Sequence, residues 1–349
     1  MSKRKLNRRQ RWRVEKIQQE RTARVQKRER DISRQLNAGD LSSEQLGLVI
    51  AHYGQQLDIE ALEGEDRGKV HRCFARANID SLVTGDRVVW RAGTDLSGVI
   101  EARLERRNSL TRPDNFGQLK PIAANIDHII MVFAAEPEPH QNLLDRYLVA
   151  AEAVGIPPIL LLNKTDLIND QNRDHIEGLV ALYQKLGYPV IRASTATQHG
   201  LDELLEVLAD RTSVLVGQSG VGKSSLVKML LPDEEIRIQE LSEQTRKGTH
   251  TTTTARLFHM PTGGDLIDSP GVREFGLWHI DTNQLEQGFI EFGPHLGYCK
   301  FRDCRHLEEP GCALKAAMEE GKIDPRRLAS YFLIRQTLED QPLRYERES

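Results

Sequence analysis

Through residue 38 the chain sustains no apolar period. Polar and charged positions dominate, and the segment predicts a basic N-terminal arm without a core of its own. After Gly39 the pattern changes. Leu46, Leu48, Val49 and Ile50 open a series of short strand-like runs: Leu57–Ala61, Val70–Ala77, Arg87–Trp90 and Val99–Leu104. Gly64, Gly85-Asp86, Gly93 and Ser97-Gly98 punctuate them. Short strands at this spacing predict a small β-barrel over residues 39–113, OB-like by its size, with a small β-sandwich as the alternative.

A basic link of Arg106, Arg107, Arg112 and Pro113 follows, and beyond it the period lengthens. Ile126–Phe133, Pro158–Leu162, Pro189–Arg192 and Ser213–Val216 are short apolar runs, the pattern of strands buried on both faces. Between them Asn142–Val154, residues 172–186 and Leu201–Ala209 carry helical spacing. This alternation over residues 114–280 predicts an α/β domain built on a parallel sheet. Residues 281–349 make a third, helical module and tail. Asp324-Pro325 opens its last helix, expected to run to about Leu338.

Composition adds two constraints. The longest apolar runs, Ile129–Ala135 and Ile159–Leu162, fall far below the roughly 18 residues of a membrane span. The N-terminus is charged from Lys3 onward and has no apolar h-region, so the expectation is a cytoplasmic protein with no membrane partner. The net charge of −3 hides an asymmetry: residues 1–30 hold thirteen Lys/Arg against three Glu, which leaves −13 on the remainder. An Arg-rich arm on an acidic body points to nucleic acid.

The chemistry begins at Gly217-Gln218-Ser219-Gly220-Val221-Gly222-Lys223-Ser224, which matches G-x-x-x-x-G-K-[ST]. Ser213–Val216 precedes it as a strand, and Ser225–Leu231 continues as a helix. Glycines let backbone N–H groups curl around phosphate oxygens, and the helix N-terminus adds positive dipole. Lys223 would reach the β- and γ-phosphates, and the Ser224 hydroxyl would hold Mg²⁺. Asn163-Lys164-Thr165-Asp166 follows the strand Pro158–Leu162 directly. In this N-K-x-D motif Asp166 would accept from the ring N–H and exocyclic amine of guanine, Asn163 would support the opposite edge, and the Lys164 stem would lie over the base. The wrong base leaves buried polar groups unpaired, so the device discriminates strongly. Ala193-Ser194 would add a backbone contact to the base.

Asp268-Ser269-Pro270-Gly271 is D-x-x-G at a strand end. Asp268 would hold Mg²⁺ through water, and the Gly271 N–H would sense the γ-phosphate. Between this motif and the phosphate loop lies Gly248–Thr254, where Thr251 or Thr252 would complete the magnesium shell. The residue after D-x-x-G, which positions the attacking water in Ras-like proteins, is here Val272. Hydrolysis is then either slow or served by another group, and His250 is the candidate. The motif order, N-K-x-D before phosphate loop before D-x-x-G, is a circular permutation. It leaves D-x-x-G near the domain's C-terminal edge, where a following module would anchor it.

Of four cysteines, Cys73 stands alone; Cys299, Cys304 and Cys312 join His306 in C-x4-C-x-H-x5-C. Three thiolates and one imidazole make a closed, structural zinc site. Lys300, Arg302, Arg305 and Lys315 give its surroundings a basic character.

Together these features resemble the RsgA/YjeQ family of circularly permuted GTPases of small ribosomal subunit biogenesis. The likeness spans about residues 40–335. It is carried most specifically by Gly217–Ser225, by Asp268–Trp278 (DSPGVREFGLW) and by Cys299–Cys312, and less specifically by Ser81–Val88 (SLVTGDRV). The resemblance implies a GTPase of late 30S maturation that binds GTP and GDP with Mg²⁺, grips 16S rRNA through barrel and zinc module, and leaves after subunit-stimulated hydrolysis. It also implies a monomer away from the ribosome. The family carries a hydrophobic residue at the position of Val272 and a histidine matched by His250. The competing reading is a nucleotide-gated RNA-binding module with little turnover.

Overall fold

The computed structural model describes residues 41–114, 118–232, 255–268 and 280–340. They fall into two compact units, the smaller holding residues up to Leu48 together with Gln55–Asp80 and Arg87–Leu104. Five strands build it: β1 (Gln45–Tyr53, which enters the larger unit from Val49 onward), β2 (Gln56–Ala61), β3 (Val70–Ala75), β4 (Arg87–Ala92) and β5 (Ser97–Arg103). Their order is β1-β2-β3-β5-β4, and β4 returns antiparallel onto β1 through Gln45–Leu48, so the sheet closes into a barrel rather than a sandwich. β3 and β5 pair in parallel. Side chains alternate as the period of 2 requires, with Val88, Trp90 and Ala92 inside and Arg87 outside. The Trp90 indole lies across the backbone at two glycines. A Cβ at Gly47 would sit 2.6 Å from its Cδ1, and one at Gly98 would sit 2.9 Å from its Cε3. Its Nε1–H donates to the Leu46 carbonyl at 3.3 Å.

The larger unit contains a hairpin that the sequence did not foretell, β6 (Ser109–Pro113) with β7 (Leu119–Ala124). The expected basic link is therefore structured. Arg106 donates from Nε and Nη2 to the fully buried Asp86 at 2.6 and 2.8 Å, and Arg107 pairs with Asp127 at 2.7 Å. These arginines hold local structure; their cationic side chains disguised it as linker.

The main sheet runs β10 (Val190–Arg192), β9 (Pro158–Asn163), β8 (His128–Ala134), β11 (Thr212–Val216), β13 (Asp265–Asp268), β12 (Arg256–His259). The first five are parallel, and β12 adds antiparallel. All six residues of β9 are buried, as expected of a strand covered on both faces. Ile130, Val132, Ile159 and Leu161 share one face with α3 (Leu201–Leu208) and α4 (Lys223–Leu230). The other helices of the sheet are α1 (Gln141–Val154) and α2 (Arg173–Lys185). Element ends depart from the expected ones by one to two residues, the ordinary fraying of termini.

The C-terminal module consists of α5 (Thr282–Gly288), a 3₁₀ segment (Ile290–His295), α6 (Ala313–Glu319) and α7 (Pro325–Asp340). Helix α5 starts on a capping box: Asp281 accepts from the Gln284 N–H while the Gln284 side chain accepts from Asp281 N–H. The module's core of Leu285, Phe289, Phe292, Leu314, Ile323 and Tyr331 includes Val149 of α1. Contact there is close enough to demand glycine, since a Cβ on Gly288 would lie 2.6 Å from Val149 Cγ1. Beside it Arg327, fully buried, donates to Asp145 of α1 at 2.5 Å and to Glu291 at 2.6 and 3.1 Å. Tyr183 OH of α2 donates to the same Asp145 oxygen at 2.7 Å.

Candidate functional site

Parallel strands deliver their carboxyl ends to one edge, and that edge collects the motifs. Asn163 ends β9, the loop Gly217–Gly222 leaves β11, and Asp268 ends β13, the strand next to β11. The loop's shape is set by backbone approach. Gly217 (φ 140°) runs so near β8 that a Cβ would sit 2.1 Å from the Val132 carbonyl oxygen. Gly222 (φ 97°) has Asn163 Nδ2 where its Cβ would be, at 2.3 Å. No other residue type fits these two positions without moving the strand or Asn163.

Asn163 is fully buried. Its Nδ2 donates to the Val221 carbonyl at 2.9 Å, while its Oδ1 is buried with no partner among the described residues. The first bond ties the N-K-x-D segment to the phosphate loop; the second is an acceptor awaiting a donor. Lys164 adopts a left-handed conformation (φ 56°) and reaches across the loop, donating from Nζ to Gly220 O at 2.7 Å and Glu136 O at 2.8 Å. Thr165 turns inward onto the Ala193 carbonyl. The exposed Asp166 accepts from the Ser194 hydroxyl, which in turn accepts from the N–H groups of Ala196 and Thr197 at 3.2 Å. Ser194 thus acts through its side chain, orienting Asp166. The sequence offered only a backbone role for it, because which way a strand-end side chain turns depends on the loop beyond.

Lys223 Nζ closes over the mouth of the loop, donating to Gly217 O at 2.5 Å and Gln218 O at 2.6 Å. Ser219 and Gly220 are exposed on the loop, with Ser224 and Ser225 exposed on the first turn of α4. The edge therefore offers backbone donors, the Lys223 ammonium and the hydroxyls of Ser219, Ser224 and Ser225 to an anionic ligand, and the Asp268 carboxylate to a cation accompanying it. His250, Thr251, Thr252, Gly271 and Val272 lie outside the described residues.

The second cluster is C-terminal. The ligand atoms of Cys299, Cys304, His306 and Cys312 all lie within 4.8 Å of one another. His306 Nδ1 faces Cys312 Sγ at 3.3 Å and Cys299 Sγ at 3.6 Å. On the ring's far side Nε2 lies 3.5 Å from Glu286 Oε1, which also accepts from Tyr331 OH at 2.9 Å. A carboxylate behind the histidine fixes Nδ1 as the ligand atom, the usual support for a metal-bound imidazole. The donor set fits a tetrahedral thiophilic ion with no open position. Glu286 was not anticipated from sequence. Its helix carries a legible start signal in Asp281 and Gln284, but the pairing with His306 is decided by packing.

Comparison with known proteins agrees with this picture. Residues 103–278 match the family model described as RsgA GTPase. A protein of Hahella chejuensis named Small ribosomal subunit biogenesis GTPase RsgA is 63% identical over 346 residues, 99% of each chain. The protein of that name from Azotobacter vinelandii is 60% identical over 331 residues, 95% of this chain and 96% of its own. Among solved structures, YjeQ from Thermotoga maritima superposes with a TM-score of 0.70 at 31% identity, covering 84% of this chain and 98% of that one. YloQ, described as a circularly permuted GTPase, gives 0.68 at 33% identity, covering 86% of this chain and 97% of its own. With its N-K-x-D strand end preceding its phosphate loop on one sheet edge, and with relatives this close along nearly its whole length, the chain belongs to the RsgA family of circularly permuted GTPases.

Proposed function

We propose that this protein hydrolyses GTP during late maturation of the small ribosomal subunit, binding 16S rRNA in the GTP state and leaving after subunit-stimulated hydrolysis. The observation that carries the nucleotide half is the bond from Asn163 Nδ2 to Val221 O, which joins base reader to phosphate loop. In this reading Asp166, held by Ser194, accepts from the two guanine donors. Lys223 leaves the carbonyls of Gly217 and Gln218 for phosphate oxygens. Magnesium neutralises those oxygens when bound, with Ser224, Asp268 and a threonine of 251–252 as its holders. His250 positions water in place of a polar residue at 272. Zinc in the Cys299, Cys304, His306, Cys312 cluster is structural. The basic arm of residues 1–38 contributes salt-dependent affinity for rRNA. The ribosomal half rests on the names borne by the full-length relatives. The protein works in the cytoplasm as a monomer away from the subunit; none of its described helices is long and apolar enough to cross a membrane.

Val272 favours a second reading, a nucleotide-gated RNA-binding module that barely turns over. GTP turnover of the full chain, measured alone and with 30S subunits at moderate salt, separates the two. A large increase on adding subunits supports the switch. Tight GTP binding with no increase supports the module, and nucleotide-independent subunit binding removes both.

A further inference from the structure

The first loop of the metal cluster, residues 297–304, carries two aromatic rings that neither the cleft nor the cluster uses. Tyr298 is 79% exposed, the highest value among the exposed large hydrophobic side chains described, and Phe301 is 42% exposed. The backbone beneath them is held. Tyr298 N–H donates to His295 O at 3.3 Å, Lys300 N–H to Gly311 O at 3.0 Å, and Cys304 N–H to Phe301 O at 3.3 Å. Cys299 and Cys304, two of the clustered thiols, bracket Phe301. The rings are thus presented by a fixed loop, and leaving such area in water is unfavourable unless something covers it.

The charges around them are mainly positive. Between Tyr298 and Arg305 stand Lys300, Arg302 and Arg305 against one carboxylate, Asp303. Lys300 Nζ lies 5.6 Å from the Phe301 ring centroid. Arg305 leans toward Glu339 at 3.4 Å, Glu309 is drawn in to accept the Arg305 N–H at 2.9 Å, and Glu308 is exposed. Flat rings alternating with cations match a strand whose bases are free to stack and whose phosphates repeat along it. A duplex offers the phosphates but keeps its base faces occupied.

We propose that this loop binds unpaired RNA, with Tyr298 and Phe301 stacking on nucleobases and Lys300 and Arg302 meeting the flanking phosphates. The proposal rests on the RNA-binding reading above and adds the form of RNA and the residues that select it.

The test uses the full chain, an oligoadenylate of about 12 nucleotides and an RNA duplex of equal length, titrated over a salt series. Tyr298→Ala with Phe301→Ala should weaken oligoadenylate binding roughly 30-fold or more, leave the salt slope unchanged and leave duplex binding as it was. Tyr298→Trp should retain or improve affinity. Lys300→Gln with Arg302→Gln should instead lower the salt slope by about 1.4. Metal content and GTP affinity of each variant serve as checks on folding. Unchanged oligoadenylate affinity in the double alanine variant, or equal losses on both RNAs, overturns the proposal. Binding to 30S subunits keeps the two readings apart. Wild-type protein that ignores subunits, yet loses oligoadenylate affinity on substitution, sinks the ribosomal reading and leaves the loop as an RNA site. Wild-type protein that binds subunits, with no effect of substitution on oligoadenylate, does the reverse.

Discussion

The sheet edge that carries the nucleotide motifs and the C-terminal Cys/His cluster bring their polar groups together by opposite means. The edge is made mostly of backbone. Gly217 and Gly222 let the chain pass within contact of Val132 and Asn163, and the parallel sheet behind supplies rigidity. The cluster is made of side chains on short elements whose small core borrows Val149 from α1 and whose Arg327 is buried against Asp145 of the same helix. The edge would keep its shape with no guest. The cluster gathers three thiols and an imidazole, groups whose mutual proximity is favourable chiefly when an ion sits among them.

The comparison is open to four tests, the largest effect first. Metal removal by a strong chelator, or Cys304→Ser, should unfold the C-terminal module, since structural zinc contributes on the order of 10 kcal/mol to such units. Hydrogen exchange would show protection lost in α5 to α7 and in the Val149 face of α1, with the barrel strands unaffected; a metal-free protein of native protection erases the contrast. Arg327→Ala comes next. It leaves Asp145 and Glu291 buried without their cation, a defect that costs about 3–5 kcal/mol. Denaturant unfolding should register that loss, and a change below about 1 kcal/mol would mean the module is held by its apolar core alone.

Gly217→Ala should strain the loop against the Val132 carbonyl by about 2–3 kcal/mol and lower GTP affinity about 100-fold, with the thermal transition of the metal module unmoved. Retained affinity would show the edge to be more pliant than its geometry implies. The smallest effect belongs to Ser194→Ala. Losing one hydrogen bond to a carboxylate should weaken GTP about tenfold and narrow its preference over ATP, because Asp166 is then free to turn away. Equal losses for both nucleotides would assign Ser194 to loop stability instead of base choice.

Much of this was legible in the chain. The barrel announced itself through short runs set off by turn residues, such as Arg87–Trp90 between Gly85-Asp86 and Gly93, and the α/β domain through apolar runs such as Pro158–Leu162. The residues named for the cleft from spacing, Asn163, Asp166, Gly217–Ser224 and Asp268, are brought to one sheet edge, and Cys299, Cys304, His306 and Cys312 to one point. The β6–β7 hairpin was missed because its buried positions, Leu110 and Ala123 among them, are too few to set a period and its arginines read as linker. Helices α5 and α6 were missed because seven residues are two turns, too short for a helical period to stand out.

What the sequence determined alone are features encoded at fixed local spacing: glycines where the backbone must pass close, a lysine and serine after them, an N-K-x-D tetrad at a strand end, three cysteines and a histidine within a short loop. Local spacing works because each depends on a turn or a helix start that neighbouring residues dictate. What only tertiary structure decided are the partners that arrive from elsewhere: Ser194 beside Asp166, Glu286 behind His306, Asp145 beneath Arg327. Each is an ordinary polar residue whose role exists only because the folding of distant segments excludes water from the space between them, and no local pattern records that.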